Sequence, residues 1–292
     1  MARKGERSRS ADFLALTKPR LNFLVVITTL AAFYLAAEGP MPVALLLHTV
    51  VGTALVAGGA SALNQLWERD IDRLMRRTRM RPLPDLRLHP REALWFGVAL
   101  SGAGLAELAW GANGTAAAVA AVTLVSYVLF YTPLKVRTSL STIVGAVPGA
   151  LPAVIGWAAA TGTVSIEAWV LFAIVFMWQM PHFLAIAWMF RDEYARAGIP
   201  LLPVLQPDGR STGRQALLYT VALVPVSFLP VVVDLGTIRY LVGAFVLGAV
   251  LMWFAVEFAA TRSVPAARRL FLGSILYLPL LWVVLIWDHL TR

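Results

Sequence analysis

The chain has 292 residues, of which 59% are hydrophobic and 14% charged, with a mean hydropathy of +0.73. An ordinary soluble domain is about 45–50% apolar and about 25% charged, so this composition excludes a water-soluble globule and makes the lipid bilayer the solvent for most of the surface. The net charge of +9 would suggest nucleic acid in a soluble protein, but the basic residues sit between apolar runs, so no nucleic-acid partner is expected; the lack of cysteine excludes disulfides, thiolate metal ligands and cysteine nucleophiles.

From the N-terminus, Met1 to Arg20 is polar and basic, and the apolar run that follows has no small-residue cleavage site with a soluble domain behind it. The first helix is therefore expected to stay in the membrane. Nine apolar stretches then follow: Leu21–Ala37, Val43–Leu66, Ala93–Trp110, Thr115–Thr132, Leu140–Ala160, Trp169–Phe190, Ala216–Val233, Tyr240–Ala260 and Leu270–Trp287. Each is close to the roughly 20 residues that cross a bilayer core. They predict an all-α, polytopic bundle of nine transmembrane helices, one domain over residues 21–290 behind a cytoplasmic segment of residues 1–20.

The loops set the orientation. With the N-terminus inside, only Arg239 and Arg292 of the 25 lysines and arginines fall on the outer side, the bias the positive-inside rule expects. The outer loops are short, whereas two inner loops, Trp67–Glu92 and Arg191–Gln215, are long and recur after the second and sixth helices. Polar chemistry is therefore expected at the cytoplasmic face.

The end of the second helix is the most informative stretch. Asn64, Glu68 and Asp72 are spaced i, i+4, i+8, which puts all three on one helical face, with Asp70 turned away. Oxygen-bearing side chains on one face suit a hard cation such as magnesium, which takes few carboxylates and fills its shell with water and substrate phosphate. The arginines that follow, Arg76, Arg77 and Arg81 among them, can pair with phosphate oxygens or serve only as positive-inside signals. Carboxylates beside arginines are consistent if metal bridges the acids to a diphosphate and the arginines take its outer oxygens.

Asp192 and Glu193, where the sixth helix ends, supply a second acidic site on the same side. Two such clusters can hold metals around one diphosphate; the plainer alternative is a helix-terminal salt-bridge cluster. Between them in sequence lie Tyr131, Lys135 and Arg137, whose cations either hold a leaving diphosphate or mark topology. His182, after Pro181 inside the sixth run, stands about 15 Å along a helix from Asp192. It either ligates a metal or hydrogen-bonds a neighbouring helix near the proline. His48, His89 and His289 carry no expected role.

These residues resemble the UbiA superfamily of intramembrane aromatic prenyltransferases, whose first motif reads Asn-x-x-x-Asp-x-x-x-Asp, and within it the branch that farnesylates heme. The resemblance rests on Leu16-Thr17-Lys18-Pro19-Arg20, on Asn64 through Arg77-Thr78-Arg79-Met80-Arg81-Pro82-Leu83-Pro84, on Gly149 to Trp157, and above all on Trp178-Gln179-Met180-Pro181-His182-Phe183 through Arg191-Asp192-Glu193-Tyr194 to Pro200. It covers about residues 12 to 290. Glu68 departs from the usual aspartate, Val136 from a common arginine, and Asp192-Glu193 is sparser than the second motif of quinone-type members.

The resemblance implies a magnesium-assisted transferase in a bacterial inner membrane. Its substrates would be farnesyl diphosphate and heme B, and heme A synthase or oxidase assembly proteins would be its partners. It makes Asn64, Glu68, Asp72, Asp192 and Glu193 the metal and catalytic residues, and Arg76, Arg77, Arg81, Tyr131, Lys135, Arg137 and His182 the substrate contacts. A prenyltransferase for a quinone precursor, or a non-catalytic transporter or heme-binding scaffold, are the competing readings. A transporter should carry charge at the bilayer midplane, whereas the acids here gather at the cytoplasmic edge.

Overall fold

The computed structural model describes residues 8–292, so Arg3, Lys4 and Arg7 of the expected cytoplasmic segment lie outside the described residues. The described residues form helices and loops with no strand. Nine helices among them are long and apolar enough to span a bilayer: Pro19–Ala36, Val43–Asp72, Pro90–Gly111, Gly114–Leu134, Ser141–Thr161, Ile166–Met189, Arg210–Val232, Ile238–Thr261 and Val264–Leu290. They follow the nine apolar runs in order.

The differences lie at the ends. The second span continues past Leu66 to Asp72. No helix breaker intervenes, and an apolarity criterion cannot follow a helix that turns polar as it leaves the hydrocarbon. A short helix, Arg9–Leu16, precedes the first span, with its N-terminus capped by Ser8 Oγ accepting from the Ala11 amide at 3.3 Å. The third span starts at Pro90, capped reciprocally by His89 and Glu92.

Packing in the bundle relies on small residues, because lipid gives no hydrophobic drive between helices. The second and third spans touch backbone to backbone at Gly59–Gly97 and Gly52–Gly104. A Cβ at Gly59 would lie 2.7 Å from the Gly97 carbonyl oxygen, and one at Gly104 would lie 2.7 Å from that of Gly52. The fifth and sixth spans form the centre, 72% and 61% buried, against 17–39% for the others. The first, second and fourth spans pack on the fifth, with the third outside them against the second and fourth; the seventh and ninth pack on the sixth, with the eighth outside against those two.

Both long loops lie at the same end of the bundle and are folded. The first, after Asp72, buries Leu83 and Leu88 against Leu16, Ala62 and Ala93. It is pinned by Arg87 Nε, which donates to both carboxylate oxygens of buried Asp12 at 3.0 Å. The second, after Met189, buries Tyr194, Ile199 and Leu201 against Met75 of the first loop. The two loops therefore form one cap over the ends of the second and sixth spans.

Candidate functional site

The polar centre of the molecule lies under this cap. Asn64, Glu68 and Asp72 are buried, 2%, 5% and 0% exposed, on one face of the second span, while Asp70 faces solvent between Arg69 and Arg73. Three separate segments close around that face. Lys18 Nζ donates to Asn64 Oδ1 at 2.7 Å. Asn64 Nδ2 donates to Glu68 Oε1 at 2.9 Å and to Thr132 Oγ1 at 3.2 Å. Lys135 Nζ donates to both Glu68 oxygens at 2.9 and 3.0 Å. Arg81 Nη1 donates to Asp72 Oδ2 at 2.7 Å, and Thr78 Oγ1 caps the Asp72 carbonyl at 2.8 Å.

Local backbone features place these groups. Lys18 adopts a left-handed conformation, φ +47°, immediately before Pro19. A β-carbon residue pays strain there, and such strain concentrates at functional sites. The fourth span widens into a π-helical turn over Ser126–Tyr131, a device frequent at functional sites. Thr132 Oγ1 donates to the Tyr127 carbonyl at 2.8 Å, which leaves its oxygen to accept from Asn64. Tyr131 stacks on Tyr127 with centroids 5.3 Å apart and fills the space over Gly145, where a Cβ would lie 2.5 Å from its ring.

The electrostatics favour an anion. Three cations, Lys18, Lys135 and Arg81, surround two carboxylates, Glu68 and Asp72. Burial, followed by repulsion from Arg81, lowers Lys18 to about 8, against the pull of Glu68. Burial alone would lower Lys135 too, but the Glu68 carboxylate holds it above its ordinary value. Asp72 Oδ1 is buried with no hydrogen-bond partner. An orphaned carboxylate oxygen beside Asn64 and Glu68 is a donor set that fits a hard cation. Among the described residues no three histidine, cysteine, aspartate or glutamate side chains converge as a cage.

The other expected site residues divide. Glu193 accepts from the Arg77 amide at 3.4 Å, and Arg77 Nη2 donates to Tyr194 OH at 3.0 Å while its guanidinium lies over the Phe190 ring at 4.8 Å. Asp192 is turned outward, its side chain 81% exposed and 3.9 Å from Arg191. Arg76 and Arg137 are exposed; Arg137 edges a cleft of about 100 Å³ beside Glu68, shared with Trp67, Ile71 and Pro133. His182 lies deeper, between the sixth and ninth spans, with Nδ1 2.8 Å from Ser274 Oγ. Lys18 and Thr132 were not foreseen as site residues. Lys18 had a signal in its place ahead of Pro19, whereas Thr132 had none that separates it from other helix-end threonines.

The UbiA prenyltransferase family matches residues 25–284 of the chain. The protoheme IX farnesyltransferase of Solibacter usitatus is 48% identical, covering 95% of this chain and 98% of its own. Among solved structures, a digeranylgeranylglyceryl phosphate synthase superposes with a TM-score of 0.81 at 15% identity, over 97% of this chain and 99% of that one. A UbiA homologue from Archaeoglobus fulgidus, bound to GPP and Mg2+, gives 0.65 at 15% identity over 94% and 99%. With a full-length relative at nearly half identity and a family match across seven of its nine spans and most of the first and ninth, the chain belongs to the UbiA prenyltransferase family.

Proposed function

We propose that the chain transfers a farnesyl group from farnesyl diphosphate to a vinyl group of heme B, giving heme O. The observation that carries the donor half is the buried face of Asn64, Glu68 and Asp72, ringed by Lys18, Lys135 and Arg81. The heme half is supported by the full-length likeness to a protoheme IX farnesyltransferase.

The chain's own groups account for the steps. Lys135, Lys18 and Arg81 supply positive charge where the diphosphate leaves with the electron pair of the allylic C–O bond; stabilising such developing charge is usually the largest catalytic contribution. Arg77, fixed by Tyr194 and Phe190, and exposed Arg76 and Arg137 add cations at the rim. Asn64, Glu68 and Asp72 would hold magnesium, which withdraws further charge from the diphosphate when bound, while Asp192, turned outward, and Glu193, on the Arg77 amide, stand at the outer rim. Tyr131 closes the site from the fourth span, and the apolar helices keep bulk water from the allylic cation. The vinyl π electrons then form the new C–C bond to the farnesyl carbon. Water adds its oxygen to the resulting cation and releases a proton, leaving a hydroxyethylfarnesyl side chain.

The cap and its arginines face the cytoplasm of a bacterial inner membrane in this reading, with the N-terminus inside, as the loop charges favour. Heme A synthase or oxidase assembly proteins are then the expected partners. Purified protein should be given farnesyl diphosphate and Mg2+ with either heme B or 4-hydroxybenzoate, and the products weighed. Heme that gains one farnesyl group and one hydroxyl is the expected outcome. Prenylation of the benzoate with untouched heme would overturn the acceptor.

A further inference from the structure

His182 and Ser274 form a pair that the diphosphate chemistry does not use. Ser274 stands on the ninth span and His182 on the sixth, with His182 Nδ1 2.8 Å from Ser274 Oγ. A serine hydroxyl has one proton to give. Ser274 Oγ gives it to the Phe271 carbonyl, 2.7 Å away on its own helix. With its proton on that carbonyl, the same oxygen accepts toward His182, an arrangement that calls for the imidazole proton on Nδ1 and leaves Nε2 the lone pair. In water the opposite tautomer is the favoured one, so this arrangement is imposed by the protein.

The ring is also held on both faces. It stacks on Trp178 with centroids 5.2 Å apart and 25° between planes, and lies 5.0 Å from the Phe271 ring. Trp178 is itself tied to the same serine, its Nε1 donating to the Ser274 carbonyl at 2.6 Å. Ser274 thus fixes both the proton and the plane of His182. Nε2 makes no hydrogen bond among the described residues and, unlike Asp72 Oδ1, keeps a trace of exposure. A pin between two helices accounts for the Nδ1 bond but gives no use to the second nitrogen. A histidine that ligates iron uses both nitrogens, the one off the metal donating to a fixed acceptor.

We infer that Ser274 is a positioning residue that sets His182 in the Nδ1–H form, so that Nε2 is presented as an axial ligand to the iron of the heme substrate. The ligand role rests on the heme reading above; the tautomer does not. The test has two arms on the full chain in detergent micelles.

The first is 15N NMR of labelled histidines, with His182 assigned by its loss in His182→Gln. Wild type is expected to show a protonated Nδ1 and a bare Nε2, and Ser274→Ala a mixture of tautomers. A wild-type Nε2–H signal overturns the inference whether or not heme binds. The second arm is ferric heme B titrated optically. A histidine-ligated spectrum is expected in wild type and in Ser274→Thr, lost in His182→Gln, with affinity weakened about tenfold or more in Ser274→Ala. If heme enters wild type and Ser274→Ala alike, the inference falls and the heme reading stands. If heme enters neither, both fall.

Discussion

The acids after the second span and those after the sixth sit at the same end of the bundle, under the same cap, and are held in opposite ways. Glu68 and Asp72 are 5% and 0% exposed, and each is met by a cation from a different segment. Asp192 turns 81% of its side chain to solvent, and Glu193 touches only a backbone amide of the facing loop, at 3.4 Å. A buried carboxylate is costly unless the chain compensates it, whereas an exposed one is compensated by water. The first cluster is therefore preorganised by Lys18, Lys135 and Arg81, and the second is an outer rim whose acids keep their hydration. The catalytic load is expected to fall unevenly between them.

The largest effect expected from this difference is at Asp72. Asp72→Ala removes the orphaned oxygen and the Arg81 partner together, and turnover should fall by about 10³-fold, with the helical signal in circular dichroism retained. Glu68→Gln is expected next: Lys135 loses its charge partner in a mostly buried setting, so turnover should fall about 10²-fold and the melting temperature should drop, measured in the same detergent. Lys135→Met in the Glu68→Gln background should cost less than the sum of the single changes, since neither charge is then left alone. Asp192→Asn should be milder, about a tenfold rise in KM for farnesyl diphosphate with little change in melting temperature. If Asp192→Asn were as damaging as Asp72→Ala, the two clusters would be equivalent and the contrast between them wrong. The smallest effect is expected for Glu68→Asp, which restores the commoner carboxylate one methylene shorter, within about tenfold of wild type in turnover.

Much of this was legible in the sequence. Apolar runs of span length and the sidedness of Lys and Arg marked nine helices and the end at which chemistry should lie. The i, i+4, i+8 spacing put Asn64, Glu68 and Asp72 on one face before any coordinates, and the helix does run unbroken to Asp72. Partners distant in sequence were hidden. Nothing local ties Lys18 to Asn64 or His182 to Ser274, because those pairings are set by which helices pack together. The π turn that precedes Thr132 was equally invisible, since Ser126–Tyr131 reads as ordinary apolar helix. The differing orientations of Asp192 and Glu193 follow from helical geometry: adjacent residues point about 100° apart, so one acid turns to solvent while its neighbour meets the facing loop.

Calorimetric titration of inorganic pyrophosphate, with and without Mg2+, into wild type and Asp72→Ala bears most directly on the buried acid face as the grip on the leaving group. Wild type is expected to bind pyrophosphate about tenfold tighter or more when Mg2+ is present, and Asp72→Ala to lose that increment while still taking up heme. An Asp72→Ala protein whose Mg2+-dependent affinity for pyrophosphate equals that of wild type would contradict it.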